Sequence, residues 1–154
     1  MKRKISIRRM TEDDLGPLHG LLSDPLVMRY LEPPYTEEQT AAFLKKAGLS
    51  EPPLIYAAEE DGSFIGYVIC HDFDETGTEI GWVLRPDRWN RGCASLLTEQ
   101  LIGRVLPEGR EPVIECSPEQ EVTEHIARKY GFTCEGTSGG LRVFRLKRRT
   151  GAGG

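Results

Sequence analysis

No stretch of the 154 residues approaches the roughly 20 consecutive apolar positions that a bilayer-spanning helix requires, so a membrane partner is not expected. Lys2, Arg3 and Lys4 stand near the start, but no apolar run follows them, and a secretory leader is not expected either. Cys70, Cys93, Cys116 and Cys134 lie far apart and form no C-x-x-C pair. That spacing argues against a zinc site or a disulfide frame and for free thiols in a reducing cytoplasm. Neither G-x-G-x-x-G nor G-x-x-x-x-G-K-S/T occurs, which removes two glycine-rich signatures of nucleotide binders. Positive charge is also short. The formal net charge of -4 argues against a dedicated nucleic-acid binder. No internal repeat and no second domain can be read. The expected organisation is one domain over residues 1–146 and a basic, glycine-rich tail over 147–154, read as solvated.

What the chain does have is concentrated between Thr78 and Val105. Ile80, Trp82 and Leu84 alternate over a short β-prone run that Pro86 and Asp87 stop. A loop follows, with Arg88, Trp89, Asn90 and Arg91, and then the small residues Gly92, Cys93, Ala94 and Ser95. From there Ala94, Leu97, Leu101 and Val105 recur at helical spacing. A strand, a small-residue turn and a helix N-terminus form a device for holding a phosphate. The first amides of a helix lack intrahelical acceptors and sit at the positive end of its dipole. Gly92 lets the backbone come close to the anion.

The basic loop, the glycine-x-alanine pair and the preceding EIGWVL strand resemble the acetyl-CoA pyrophosphate loop of the GNAT acetyltransferase superfamily. The resemblance is closest to the branch that acetylates N-terminal amines of ribosomal proteins and various small amines. The superfamily pattern is Gln/Arg-x-x-Gly-x-Gly/Ala; here Trp89 stands first, a departure also found in that branch. A second match lies near the end. Gln120-Glu121-Val122-Thr123 followed by Lys129-Tyr130-Gly131-Phe132 resembles the branch's Asn-x-x-Ser and Lys-x-Gly-Phe. What this implies is an acetyl-CoA-dependent N-acetyltransferase that transfers directly to a primary amine, without a metal. The acceptor is expected to be a peptide N-terminus or a small amine, and the protein a monomer or homodimer. A different class stays open: a non-catalytic acyl-CoA-binding or sensing module of the same fold. Ala127 stands where many relatives carry a tyrosine acid, which favours that rival, while Glu79 and Thr123 favour the enzyme.

The rest of the chain reads as a mixed α+β sheet. Ile5 and Ile7 alternate in a first strand, and Thr11 with Asp14 resembles a capping box opening a helix marked by Leu15, Leu18 and Leu22. Thr36 and Gln39 form a second box before Ala41, Phe43 and Leu44, in a helix that stops at Gly48. Strands over 54–58 and 64–71 meet at Asp61-Gly62, a hairpin signal, and Glu59 to Asp61 read as solvated turn residues. The helix after Gly92 leads to a strand over 112–116, a crossover that makes the two strands parallel. A helix over 119–130 and strands over 132–135 and 141–146 complete a mostly antiparallel sheet with one parallel pair.

Direct acetyl transfer needs a bound thioester, an unprotonated amine and stabilisation of a developing oxyanion. The resemblance places the donor's arm along Val83, Leu84 and Arg85, where the strand must part from its parallel neighbour. Arg85, Arg88 and Arg91 are candidate phosphate contacts beside the amides of the loop. Glu79 is the candidate general base, His71 shares that duty or binds acceptor, and Thr123 relays a proton or bonds the sulfur. Gln120 joins the donor site, and Tyr30, Tyr35 and Phe43 are candidate acceptor-lining residues. A covalent route through Cys93 would need a Cys-His-Asp arrangement, and none is readable from the spacing.

Overall fold

A computed structural model describes residues 3–148. Its seven strands are β1 (Ile5–Arg8), β2 (Ile55–Glu60), β3 (Ser63–Asp72), β4 (Gly77–Leu84), β5 (Glu111–Cys116), β6 (Thr133–Ser138) and β7 (Leu141–Arg145). They form a single sheet in the order β1-β2-β3-β4-β5-β7-β6, antiparallel except between β4 and β5. The parallel pair is short. Gly77 pairs with Glu111, Thr78 with Pro112 and Glu79 with Val113, and there the register ends. β4 then continues to Leu84 and β5 to Cys116 without pairing with each other. The sheet therefore opens into a cleft that starts at Glu79.

The turn before β4 holds this junction tightly. Asp74 accepts from the amides of Thr76 and Gly77, and Gly77 lies at the root of the parallel pair. A Cβ at Gly77 would come 2.5 Å from Nη1 of Arg145 and 2.8 Å from Cγ2 of Val113, so glycine is required by close approach. Arg145 is buried and ion-paired with Asp74, Glu111 and Glu135, which ties β7, β5 and the turn together.

Side-chain alternation splits the sheet's two faces as the pleat demands. Ile80, Leu84, Ile114 and Phe144 face Leu97, Leu101 and Val105 of α4 (Cys93–Val105) and Ala127 of α5 (Glu121–Lys129). Ile55, Ala57 and Tyr67 face Leu18, Leu21 and Leu22 of α1 (Leu15–Leu22) and Leu44 beyond α3 (Glu37–Phe43). Between α1 and α3 lies the short α2 (Pro25–Met28). Both expected capping boxes form, Thr11 with Asp14 and Thr36 with Gln39. Asp61 and Gly62 take φ of 51° and 83°, the left-handed pair that a two-residue hairpin needs.

Several boundaries differ from the sequence expectation. The second helix ends at Phe43 and continues as a π-helical turn over Leu44–Gly48. The last helix begins two residues later than expected, because Gln120 is used in a turn: its Oε1 accepts from the Ser117 amide, and its own amide donates to Ser117 O. Of the expected tail, 149–154 lie outside the described residues. Arg148 is tethered, its amide donating to Glu111 Oε2 and its Nη1 to Gly109 O. No helix among the described residues is long and apolar enough to cross a membrane.

Candidate active site

The loop after β4 is shaped by its own backbone. Pro86 to Arg88 form a single 3-10 turn, and Trp89 Nε1 donates to Leu84 O at 3.0 Å, folding the indole back on the strand end. Asn90 and Gly92 then take positive φ of 60° and 82°. This reversal starts α4 at Cys93, and Leu96 N donates to Gly92 O in its first turn. Among the described residues, the amides from Asn90 to Ser95 have no protein acceptor. Of these residues, Asn90, Gly92, Cys93, Ala94 and Ser95 line a cavity of about 560 Å³. That is a concave cradle of free N–H groups at a positive dipole end, and it suits a diphosphate.

The cavity runs from this cradle along the edge of β4 that β5 has left. Val83, Leu84, Trp89, Asn90, Gly92, Cys93, Ala94 and Ser95 line it, joined by Gln120 and Thr123 from the start of α5 and by Tyr30 from the segment after α2. Eleven expected residues are thus brought together from four places in the chain. Among the described residues, five of seven large exposed hydrophobics also lie on this lining: Leu26, Tyr30, Leu31, Trp89 and Val122. Apolar surface gathered around a polar cradle fits a cleft that a ligand covers. Leu26 and Leu31 carried no sequence signal beyond being apolar.

Other expected residues stand elsewhere. Arg85 turns away from the cavity, its Nη2 on Asp87 at 2.7 Å and its Nη1 on Phe64 O. Arg91 is exposed and off the lining. Tyr35 and Phe43 also lie off it. They pack edge to face with centroids 5.9 Å apart, Phe43 continues onto Tyr67, and Tyr35 OH donates to Glu32. Arg29 lines the cavity, and of the three arginines expected at the phosphates so does Arg88. Its Nε is buried and 3.2 Å from Glu60 Oε1, yet outside hydrogen-bonding geometry, so this N–H has no partner among the described residues. Glu60 is not the solvated turn residue expected from sequence. Its carboxylate is nearly buried between Arg88 and Arg3, whose Nε is 3.3 Å from Oε2. Cys93 lies beneath them at 4.0 Å from both Glu60 Oε1 and Arg3 Nη1, and burial pushes its thiol pKa up. A buried, protonated thiol suits packing and makes a poor nucleophile.

Glu79 and His71 lie off this cavity, on the sheet face opposite α4 and α5, at the point where β4 and β5 part. They are directly paired across β3 and β4, with His71 Nε2 3.5 Å from Glu79 Oε1. Glu115 stands two residues beyond Val113, the residue in register with Glu79, and so shares its face. Burial, with the neighbouring Glu115 charge, pushes the Glu79 carboxyl up to about 7. Sequence reading missed Glu115, since no local pattern marks it.

Residues 4–133 match the family model of the acetyltransferase (GNAT) domain. The chain belongs to the GNAT acetyltransferase family. Among individual proteins it is similar to the uncharacterized N-acetyltransferase YnaD of Bacillus subtilis, 27% identical over 87% of this chain and 82% of that one. In fold it is similar to a GNAT-family acetyltransferase from Bacillus anthracis, with TM-score 0.79 at 22% identity over 95% and 96% of the two chains. It is similar also to the ribosomal L7/L12 alpha-N-protein acetyltransferase RimL in complex with coenzyme A. There the TM-score is 0.80 at 18% identity, over 92% and 93% of the chains. As a GNAT domain the protein is a single α+β unit of seven strands with one parallel pair, as its sequence led one to expect.

Proposed function

We propose that the protein is an acetyl-CoA-dependent N-acetyltransferase acting by direct transfer on the primary amine of a peptide N-terminus or small molecule. The observation that carries this is the continuity of one groove. It begins at the free amides of the loop after Asn90 and follows the unpaired edge of Val83 and Leu84, on the strand whose parallel pairing ends at Glu79. Acetyl-CoA, when bound, supplies an activated thioester. The residues present fit it: the free amides of the loop residues that line the cavity and Arg88 suit its phosphates, and the open edge of β4 offers backbone partners for the amides of its arm.

Glu79 takes the proton of the acceptor ammonium. A carboxylate near pH 7 matches this task if the amine is itself easily deprotonated. At pH 7 an α-amino group near pKa ~7.8 costs about 1 kcal/mol to deprotonate, and a lysine near ~10.4 about 4.6 kcal/mol. The site is therefore better suited to α-amines than to lysine side chains. RimL, which shares the fold, acts on a protein α-amine. Thr123, on the cavity wall, bonds the sulfur of the leaving group in this reading. Ala127 is fully buried in the core and cannot serve as the acid.

Residues 1–146 form the catalytic domain in this reading and 147–154 an appendage to it. The place of action is the cytoplasm, where acetyl-CoA and reduced thiols occur together. Turnover decides the reading. Purified protein is incubated with acetyl-CoA and a panel of peptides and small amines, and thiol release is followed. Acetylated α-amine product supports the enzyme; donor binding without turnover of any amine supports the acyl-CoA-sensing module.

A further inference from the structure

Three adjacent strands place ionisable side chains on one sheet face at the root of the cleft. His71 comes from β3, Glu79 from β4 and Glu115 from β5. His71 Nδ1 lies 2.9 Å from Asp72 O. A carbonyl only accepts, so Nδ1 carries the proton there and Nε2 is the nitrogen turned to Glu79. The side chain of Glu79 is 17% exposed and that of His71 30%, so the pair lies part-way between core and solvent. We propose that Glu115 and His71 are positioning residues that set the proton affinity of Glu79 from opposite sides.

This inference rests on Glu79 being the base of the proposed reaction. A second carboxylate beside the first makes charging Glu79 harder, and a cationic imidazolium makes it easier. Burial of Glu79 and the two neighbours act in these directions, with burial and Glu115 raising its pKa and His71 lowering it. Other charges near the face are engaged. Arg145, in register with Val113 on β7, is taken up by Asp74, Glu111 and Glu135. Arg110 donates to Thr78 Oγ1 and to the carbonyls of Asp74, Glu75 and Gly77, with Asp72 3.6 Å away. The proton balance is simple. The acceptor ammonium gives one proton to the Glu79 carboxylate and becomes the neutral amine. Glu79 is restored when that proton passes to solvent water, which its partly exposed side chain reaches.

The test compares Glu115→Gln and His71→Gln with wild type by two readouts. The first is the titration of the Glu79 side-chain carboxyl, followed by its 13C shift, which needs no acceptor. The second is the acidic limb of kcat/KM against pH for an amine that turns over. Glu115→Gln lowers both midpoints, by about one pH unit for a like charge at this range, and His71→Gln raises them. Opposite signs separate the proposal from mere loosening. A variant that only lets water reach Glu79 moves its pKa down, whichever residue is changed. Unmoved midpoints, or a fall in both variants with circular dichroism unchanged, overturn the proposal. Failure of the wild type to acetylate any amine overturns the reaction itself, while the carboxyl titration still decides whether the three groups are coupled.

Discussion

His71 and Glu79 face each other across the β3–β4 ladder, with Nε2 3.5 Å from Oε1, at the last residue before β4 and β5 separate. The same register position thus carries both the end of the parallel pairing and the proposed base. In the proposed reading the strand divergence there admits the donor's arm, and it also gives Glu79 a half-buried setting in which its charge is poorly solvated.

The pH dependence of activity follows from that setting. Glu79 is competent as a base only when ionised, so kcat/KM rises with pH and levels off above about 7. Glu79→Gln removes the limb and lowers kcat by about 100-fold or more, the usual contribution of a general base. Steady-state rates with saturating donor across pH 5 to 9 check this. The stability effect has the opposite sense. The folded-state pKa of Glu79 lies above its unfolded value, so the favourable protonated form is lost, and stability with it, as pH rises from about 4.5 to about 7.

Arg88 and Arg85 differ in what their guanidinium groups face, and their variants separate accordingly. Arg88→Gln raises the KM for acetyl-CoA roughly tenfold, the loss of one charge-assisted phosphate contact, and leaves the KM for phosphate-free S-acetyl-pantetheine unchanged. Arg85→Gln changes neither, because that side chain is spent on Asp87 and Phe64 O outside the cavity. Donor kinetics with both substrates give the answer.

Gly77→Ala tests the junction without touching the cavity. The new methyl would meet Arg145 Nη1 at 2.5 Å and Val113 Cγ2 at 2.8 Å, displacing the arginine from its three carboxylates. A loss of about 1–3 kcal/mol is expected for such overpacking, read as a lower urea midpoint at unchanged slope.

Local chemistry made much of this legible. The two capping boxes, the Asp61-Gly62 reversal and the Gly92 turn each depend on residues within a few positions, and each forms as read. The alternation of Ile80, Trp82 and Leu84 gave the face toward α4 for the same reason. What depended on register was hidden. Glu115 reaches Glu79 only because the crossover sets Val113 opposite it, and spacing in the chain carries no trace of that. Glu60 looked like one of three solvated acids, yet Arg3 from the start of the chain and Arg88 from the loop converge on it. The resemblance implies Tyr35 and Phe43 at the cleft, but the aromatic cluster with Tyr67 holds them away from the cavity.

The central claim is that the amides following Asn90 hold the phosphates of an acetyl donor. Calorimetric titration with acetyl-CoA tests it most directly, with dephospho-acetyl-CoA and a Gly92→Glu variant as controls. Gly92 has φ of 82°, and its Cβ position lies 3.3 Å from Arg3 Nη2, so glutamate there brings strain, bulk and negative charge into the cradle. Saturable binding at micromolar concentrations that Gly92→Glu abolishes is the predicted result. No binding by folded wild-type protein, or equal binding by a folded Gly92→Glu variant, would contradict the account.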